Sequence, residues 1–490
     1  MNPRLLEISK TRYTWYNVTN NVSSTPMRYF YPENAEDIQA IVSEAEHEGL
    51  RVRAVGSGHS FSEVAKGRGF LMDMKNLRDA KRYVTNVKAE HQSKDFILAD
   101  AGITIRRINR MLDEMGLALE NMGAVDFQTI SGALMTGTHG TGIKKPAFPD
   151  IIRALRIVGT NSELIHIEPT DGITDPATHH ANENSTLIQD DDVFYSAVLS
   201  FGGMGIVYQL VVEAVPRFMI HEHRYLENWT VLKAQLQSGE FMDKVHDNDF
   251  VAFRVNPYKL KGDHLCSISI QNIVNPPSPG NSGGRNFLGR LIANREAVIE
   301  GVVNRFNRNP KRTARNIQTA LKNSTVKSYT DISYKVFYNS GAAVLRYGIS
   351  SEFAFDAKAE KIIEVLEFIF QQTEYYADYA DLNHPSHIPV RFVKASHAYL
   401  SACYNRPTVY IDIPTLYSTI GYMSLLERYQ KAMIHMKGIP HWGKINNMLY
   451  TQNDFIREQF PMIDTWIRVR HKMDPKGTFL NDFIVLMGLT

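Results

Sequence analysis

Along residues 33–60 the chain changes its hydrophobic period. In "ENAEDIQAIVSEAEHEG" the apolar residues Ile38, Ile41, Val42 and Ala45 recur at three- and four-residue steps, one face of a helix, and Gly49 stands where a helix stops. "RVRAV" is short and partly alternating, which predicts a strand, and "GSGHS" follows it as a turn. The order is helix, strand, Gly-rich loop. Elements of the same kinds return downstream. "DFILADAGIT" reads as a strand, "IRRINRMLDEMGLAL" as a helix, and "ISGALMTGTHGTG" as a second, longer Gly-rich loop. "IIRALRIVG" and "ELIHIE" read as paired strands, and the polar run "PTDGITDPATHHANENSTLIQDDD" as a surface excursion. "VFYSAVLSFGGMGIVYQLVVEAVP" returns to helix, turn and strand, with a domain boundary expected near 216. A mixture of helix and strand then runs to about residue 440. It contains a loop at 275–284, "NPPSPGNSGG", and a basic stretch at 304–316, "NRFNRNPKRTARN". The basic stretch reads as a solvated face, with contact to an anionic partner or a membrane surface as the alternative.

Size and composition narrow the class. A chain of 490 residues exceeds one ordinary core, so two or three domains are expected. Hydrophobic residues at 43% and charged residues at 22% are ordinary for a soluble globular protein. A net charge of +2 argues against nucleic acid as a partner. The two cysteines, Cys266 and Cys403, build neither a metal site nor a disulfide framework and favour a reducing, cytoplasmic setting. The N-terminal stretch lacks the apolar core of a secretory signal, and no apolar run reaches ~18 residues, so no transmembrane segment is expected. Peripheral membrane association stays open.

The Gly-rich loops carry the candidate chemistry. A diphosphate needs several backbone N–H groups turned into one concavity, which bulky side chains prevent. "VGSGHS" meets that requirement, as does "SGALMTGTHGTG" with its glycines and threonines, and a third cluster gathers Gly202, Gly203 and Gly205. Neither the G-x-G-x-x-G nor the G-x-x-x-x-G-K-[ST] signature is present, so two loops about 75 residues apart would grip one ligand from both sides. His59 in the first loop is either a loop residue bonded to its neighbours or a neutral nucleophile able to attach an electrophilic cofactor, such as a flavin at its 8α-methyl group.

These residues resemble the vanillyl-alcohol-oxidase-type FAD flavoproteins. Within that group "RAVGSGHSFSEVA", "SGALMTGTHGTG", "LSFGGMGIVYQLVVEAVP", "HWGK" and "DPKGTFLNDF" are similar to the sugar-lactone and alditol oxidases, the gulonolactone, D-arabinono-1,4-lactone and alditol oxidase family. The resemblance implies an α+β fold: a two-subdomain FAD-binding domain over 1–215, a mixed α/β substrate-binding cap domain over 216–440, and a C-terminal segment, 441–490, that returns to the flavin. It implies that FAD is held by the first loop, from Ala54 and Val55 through Gly56, Ser57 and Gly58 to His59 and Ser60. The second loop would add Ser131, Gly132, Thr136, Gly137, His139, Gly140, Thr141 and Gly142, and the closing segments Gly205, Ile206 and His441. Covalent attachment through His59 follows from the same likeness.

Hydride transfer from a CH–OH group to flavin N5 needs fixed positive charge and a proton acceptor. The resemblance points to Lys444 and Arg391 for the charge, with His441 and Trp442 positioning the segment. It departs at one place. The family has a Glu-x-Arg pair, and here the string is Pro389-Val390-Arg391. Either Glu352 or Asp412 supplies the missing acid, or the substrate is itself an anion that pairs with Arg391. His384, His387 and His397 lack zinc spacing and read as structural, so no metal is expected. The expected activity is oxidation of a sugar lactone, alditol or related polyol, with O2 or an electron carrier as acceptor. The alternatives are a sterol or other apolar alcohol as substrate, and a flavin-binding protein without turnover.

Overall fold

The computed structural model describes residues 2–274, 296–324, 328–338 and 346–490; the loop expected at 275–284 lies outside the described residues. The helix of the first pattern runs Ala35–His47, with Asn34 accepting the Asp37 N–H at its start. Its apolar stripe, Ile38, Ile41, Val42 and Ala45, is buried. The strand that follows, Val52–Val55, pairs in parallel with Phe70–Asp73, and a four-stranded sheet forms in the order 9–10, 28–30, 70–73, 52–55. A second sheet runs in the order 186–189, 164–168, 152–158, 206–216, 95–100, 80–82. The strands expected at "IIRALRIVG" and "ELIHIE" are antiparallel neighbours in it.

Two readings of the sequence change. Half of the second Gly-rich loop is a short helix, Ile130–Met135, because Thr129 caps it and Ile130, Ala133 and Leu134 are buried on one side. The polar run after Glu168 is not all surface. Thr186–Gln189 adds a parallel edge strand, and Thr174 and His179 are fully buried. The buried carboxylate of Glu168 organises this stretch by accepting from the Thr174 and Gln189 side chains.

Past Pro216 the chain enters an eight-stranded sheet, ordered 329–332, 219–228, 265–274, 250–255, 388–393, 408–416, 348–356, 439–440. Its strands alternate, and the alternation sorts their residues to two faces. Val251, Phe253, Ile388, Val390, Phe392, Val409, Ile411 and Ile413 form one buried cluster with the helices Trp229–Ser238, Ala359–Tyr379 and Tyr422–His435. Residues between them line a cavity on the other side: Ala252, Arg254, Pro389, Arg391 and Asp412. The basic stretch spans the end of helix Glu296–Arg308 and the start of helix Thr313–Ser324. The final helices pack back on the first half. Trp466 donates its indole N–H to the carbonyls of Ser196 and Leu199, and the Val52 N–H bonds the Thr478 carbonyl at 2.8 Å. No helix among the described residues is long and apolar enough to cross a membrane.

Candidate active site

The two Gly-rich loops meet. A Cβ on Gly56 would stand 2.0 Å from the Thr129 hydroxyl, and one on Gly132 2.8 Å from the same oxygen. Between the loops and the turn at Gly202–Val207 lies a narrow cleft of about 100 Å³. Ala54, Val55, Gly56, Ser57, Gly58, His59, Ser60, Ser131, Gly132, Thr136, Gly205 and Ile206 all line it. Ser57, Gly58, His59 and Ser60 donate no backbone hydrogen bond among the described residues, so their N–H groups remain open to a ligand. Arg53, buried at the cleft, donates to the carbonyls of Val64 and Phe201 and leaves Nε without a partner. Open N–H groups, a buried cation and absent side chains are the donor set a dinucleotide diphosphate requires. The residues present therefore fit FAD.

The cleft opens past His59, Ser60, Gln128 and Thr136 into a larger cavity of about 460 Å³ that reaches the eight-stranded sheet. His59 stands at the junction, its ring stacked toward Phe127 at 6.4 Å. Burial pushes its pKa down to about 4 despite the nearby Asp126 carboxylate, so the imidazole is neutral at physiological pH. His139, Gly140, Thr141, His441 and Lys444 also line this larger cavity. Gly137 and Gly142 do not line either space. Gly137 packs toward Leu199, and Gly142 donates to the Phe392 carbonyl, joining the loop to the eight-stranded sheet.

The turn "HWGK" is clamped from both sides. The Phe61 N–H bonds the Gly443 carbonyl and the Ser62 hydroxyl bonds the Trp442 carbonyl, while the His441 and Ile445 N–H groups bond the carbonyls of Glu352 and Ser350. Trp442 is buried, donates to the Leu400 carbonyl and stacks on Phe460. This places the Lys444 ammonium 2.9 Å from the Ser350 hydroxyl and 3.5 Å from both Glu352 and Asp412. The two acids are cross-strand partners. The neighbouring pairing of Val390 with Ile411 puts Pro389 beside Asp412 on the sheet. A carboxylate thus stands directly across from position 389, on the adjacent strand.

The two carboxylates titrate differently. Burial opposes ionisation of Glu352, but the Lys444 charge and the contact with His139 outweigh it and hold the group well below the usual range. Its Oε1 lies 3.4 Å from His139 Nε2. Asp412 is raised, first by burial and then by the Glu352 charge, although Lys444 pulls the other way. Burial keeps His441 near 3, hence neutral. Ligand atoms of His139, Glu352 and His441 lie within 4.8 Å of one another, and Lys444 supplies the positive charge there. Sequence reasoning did not single out Arg254, Arg224, Ser350 or Gln128, all of which line the cavity. The alternation of "FVAFRV" is the signal that would have found Arg254 on the face opposite three apolar residues. His387, read as structural, lines the cavity too; His384 is buried away from it, and His397 is exposed.

A family model described as D-arabinono-1,4-lactone oxidase matches residues 211–486, more than half of the chain. The chain belongs to that family. An FAD binding domain model matches residues 26–168, which contain both Gly-rich loops, so this member of the family is an FAD-dependent oxidoreductase. L-gulono-1,4-lactone dehydrogenase of Mycobacterium tuberculosis is 28% identical over 96% of this chain and 97% of its own. L-gulonolactone oxidase of Scyliorhinus torazame is 25% identical over the same shares. D-arabinono-1,4-lactone oxidase of Yarrowia lipolytica is 29% identical over 43% of this chain and 36% of its own. Among solved structures, cholesterol oxidase from Brevibacterium sterolicum superposes with a TM-score of 0.78 at 15% identity, covering 99% of both chains, which shows a shared fold.

Proposed function

We propose that the enzyme oxidises a CH–OH group of a sugar lactone or closely related polyol, with dioxygen as the acceptor and FAD tethered by His59. The observation that carries this is the Lys444–Glu352–Asp412 cluster in the same cavity that His59 lines. FAD, when bound, supplies the hydride acceptor. The chain's own residues do the rest. Lys444 offers a preorganised positive charge to negative charge that develops as the alcohol loses its proton. Asp412, 17% exposed against 5% for Glu352 and with the higher pKa of the two, takes the hydroxyl proton. Glu352 stays ionised and fixes Lys444 and His139. Neutral His59 offers the nucleophilic nitrogen for a covalent link.

The relatives named for lactones support the substrate class, and one named a dehydrogenase makes the acceptor a matter for test. A sterol fits less well. The cavity wall carries Arg224, Arg254, Arg391 and Lys444, and an apolar ligand would strip them of water without replacing it. The two cysteines are buried free thiols, in keeping with a reducing cytoplasm. Anaerobic mixing with a panel of aldonolactones, alditols and sterols, followed by air, tests the whole reading. Lactones or alditols should bleach the flavin and air should restore it. Bleaching by sterols alone, or by nothing but dithionite, would overturn it. Colour should stay with acid-precipitated wild-type protein and leave the His59→Ala variant.

A further inference from the structure

The basic stretch at 304–316 has no part in the oxidation chemistry. It forms the turn of a helical hairpin, Glu296–Arg308 and Thr313–Ser324. The hairpin is a packed part of the fold. Val303, Phe306, Ile317 and Leu321 are buried, and the Asn256 side chain donates to the Ala314 carbonyl at 3.0 Å. The cations are on the outside: Arg305, Arg308, Lys311, Arg312, Arg315 and Lys322 are all exposed. None of their side chains makes a hydrogen bond or ion pair among the described residues. The sequence from Gly301 to Ser324 has no acid, and neither have the stretches 275–295, 325–327 and 339–345. Glu300, just upstream, accepts from the Tyr347 hydroxyl at 2.9 Å.

Helix stability does not account for this charge. Arg305 and Arg308 suit the C-terminal end of the first helix. Lys311 and Arg312, however, precede the second helix, and Arg315 lies in its first turn, where the macrodipole opposes positive charge. The whole chain nets only +2, so without these six residues the molecule would be net negative. Apolar side chains stand among the cations. Val302, 48% exposed, precedes Arg305 by three residues and shares its helix face. Ile420, 66% exposed, lies beside the same helix end, its N–H bonded to the Asn307 side chain at 2.9 Å. Cations with apolar tips between them match a bilayer interface, where headgroup phosphates take the charge and the tips enter the boundary of the acyl layer. A nucleic acid would use the cations and leave Val302 and Ile420 against phosphates.

We propose that this hairpin docks the enzyme on an anionic lipid surface. The attachment is peripheral, because the hairpin buries its own apolar face in the fold and offers the lipid only charge and two apolar tips. A cytoplasmic leaflet presents such a negative surface. The test sediments the FAD-loaded enzyme with vesicles of phosphatidylcholine alone and of phosphatidylcholine mixed with phosphatidylglycerol. Binding to the mixed vesicles should be at least tenfold tighter and should weaken as salt is raised. Each cation at such a surface is worth about fivefold in affinity. Neutralising three together, in Arg308→Gln, Lys311→Gln and Arg312→Gln, should therefore weaken binding about 10²-fold while flavin content stays that of wild type. Ile420→Ser should weaken it severalfold with the charge unchanged. Equal binding to the two kinds of vesicle overturns the proposal, as does a triple variant that binds like wild type, or tighter retention on duplex DNA than on the mixed vesicles at the same salt. Should the triple variant lose its flavin, the wild type still decides: attachment that does not respond to salt refutes a docking surface built on charge.

Discussion

At Lys444 one ammonium stands 3.5 Å from two carboxylates that face each other across adjacent strands. Removing it leaves like charges directly opposed in a desolvated wall. Lys444→Met should therefore keep its FAD but slow flavin bleaching by about 10²–10³-fold, the range seen when one electrostatic donor is lost. Stopped-flow absorbance checks this, and unchanged bleaching would remove Lys444 from the reaction. Asp412 carries a second prediction. Its pKa is raised, and the group must be ionised to accept a proton, so the bleaching rate should climb with pH through a value above the ordinary aspartate range. In Asp412→Asn that acid limb should vanish along with most of the rate. A limb that persists in the variant would assign it to another group.

Among the elements, the contact between the two Gly-rich loops depends on an absent side chain. A methyl on Gly56 would overlap the Thr129 hydroxyl, which also caps the helix Ile130–Met135. Gly56→Ala should push the loops apart and lower the FAD bound per chain severalfold. Thr129→Ala in the same molecule should restore part of it, at ~1 kcal/mol of stability for the lost cap. Equal flavin content in the single variant and wild type would refute the interlock. Much of this was legible in the sequence. Gly and Ser density marks both loops, and period-three and period-two patterns give Ala35–His47 and the pair 152–158 with 164–168. The composite nature of the acid site was not. Asp412 and Glu352 lie 60 residues apart and meet only through strand register, which is set by long-range pairing and not by local pattern. The buried part of the polar run 169–192 was hidden for the same reason. Its polar residues satisfy one another around Glu168, and composition alone reads them as solvated.

At the scale of the whole molecule, several histidines are buried without protons. Burial pushes His384, His387 and His441 down to about 3 and His264 to about 4, from an ordinary 6.5. The unfolded chain binds protons that the folded chain refuses. This share of stability is complete above pH 6.5 and is lost as pH falls toward the folded values. Each such histidine costs up to about 1.4 kcal/mol per pH unit in that window. Urea unfolding from pH 7 to 4 should show a steep fall in stability. His384 gives the cleanest variant, since neither ring nitrogen has a partner and it lies outside the cavity. His384→Leu should reduce proton uptake on unfolding by about one and flatten the slope accordingly. A slope identical to wild type would mean that this ring titrates normally.

The bond from Val52 to Thr478 also constrains the order of events during synthesis. Nearby, Lys476 holds Glu46 across 430 residues of sequence. The strand that leads into the first Gly-rich loop thus waits for residues that leave the ribosome hundreds of codons later. Until then the nascent chain has an unfinished edge on the strand that leads into the cofactor cleft. Capture of the cofactor is therefore a late, post-release event, and a ribosome stalled before codon 470 should carry a chain with no yellow colour.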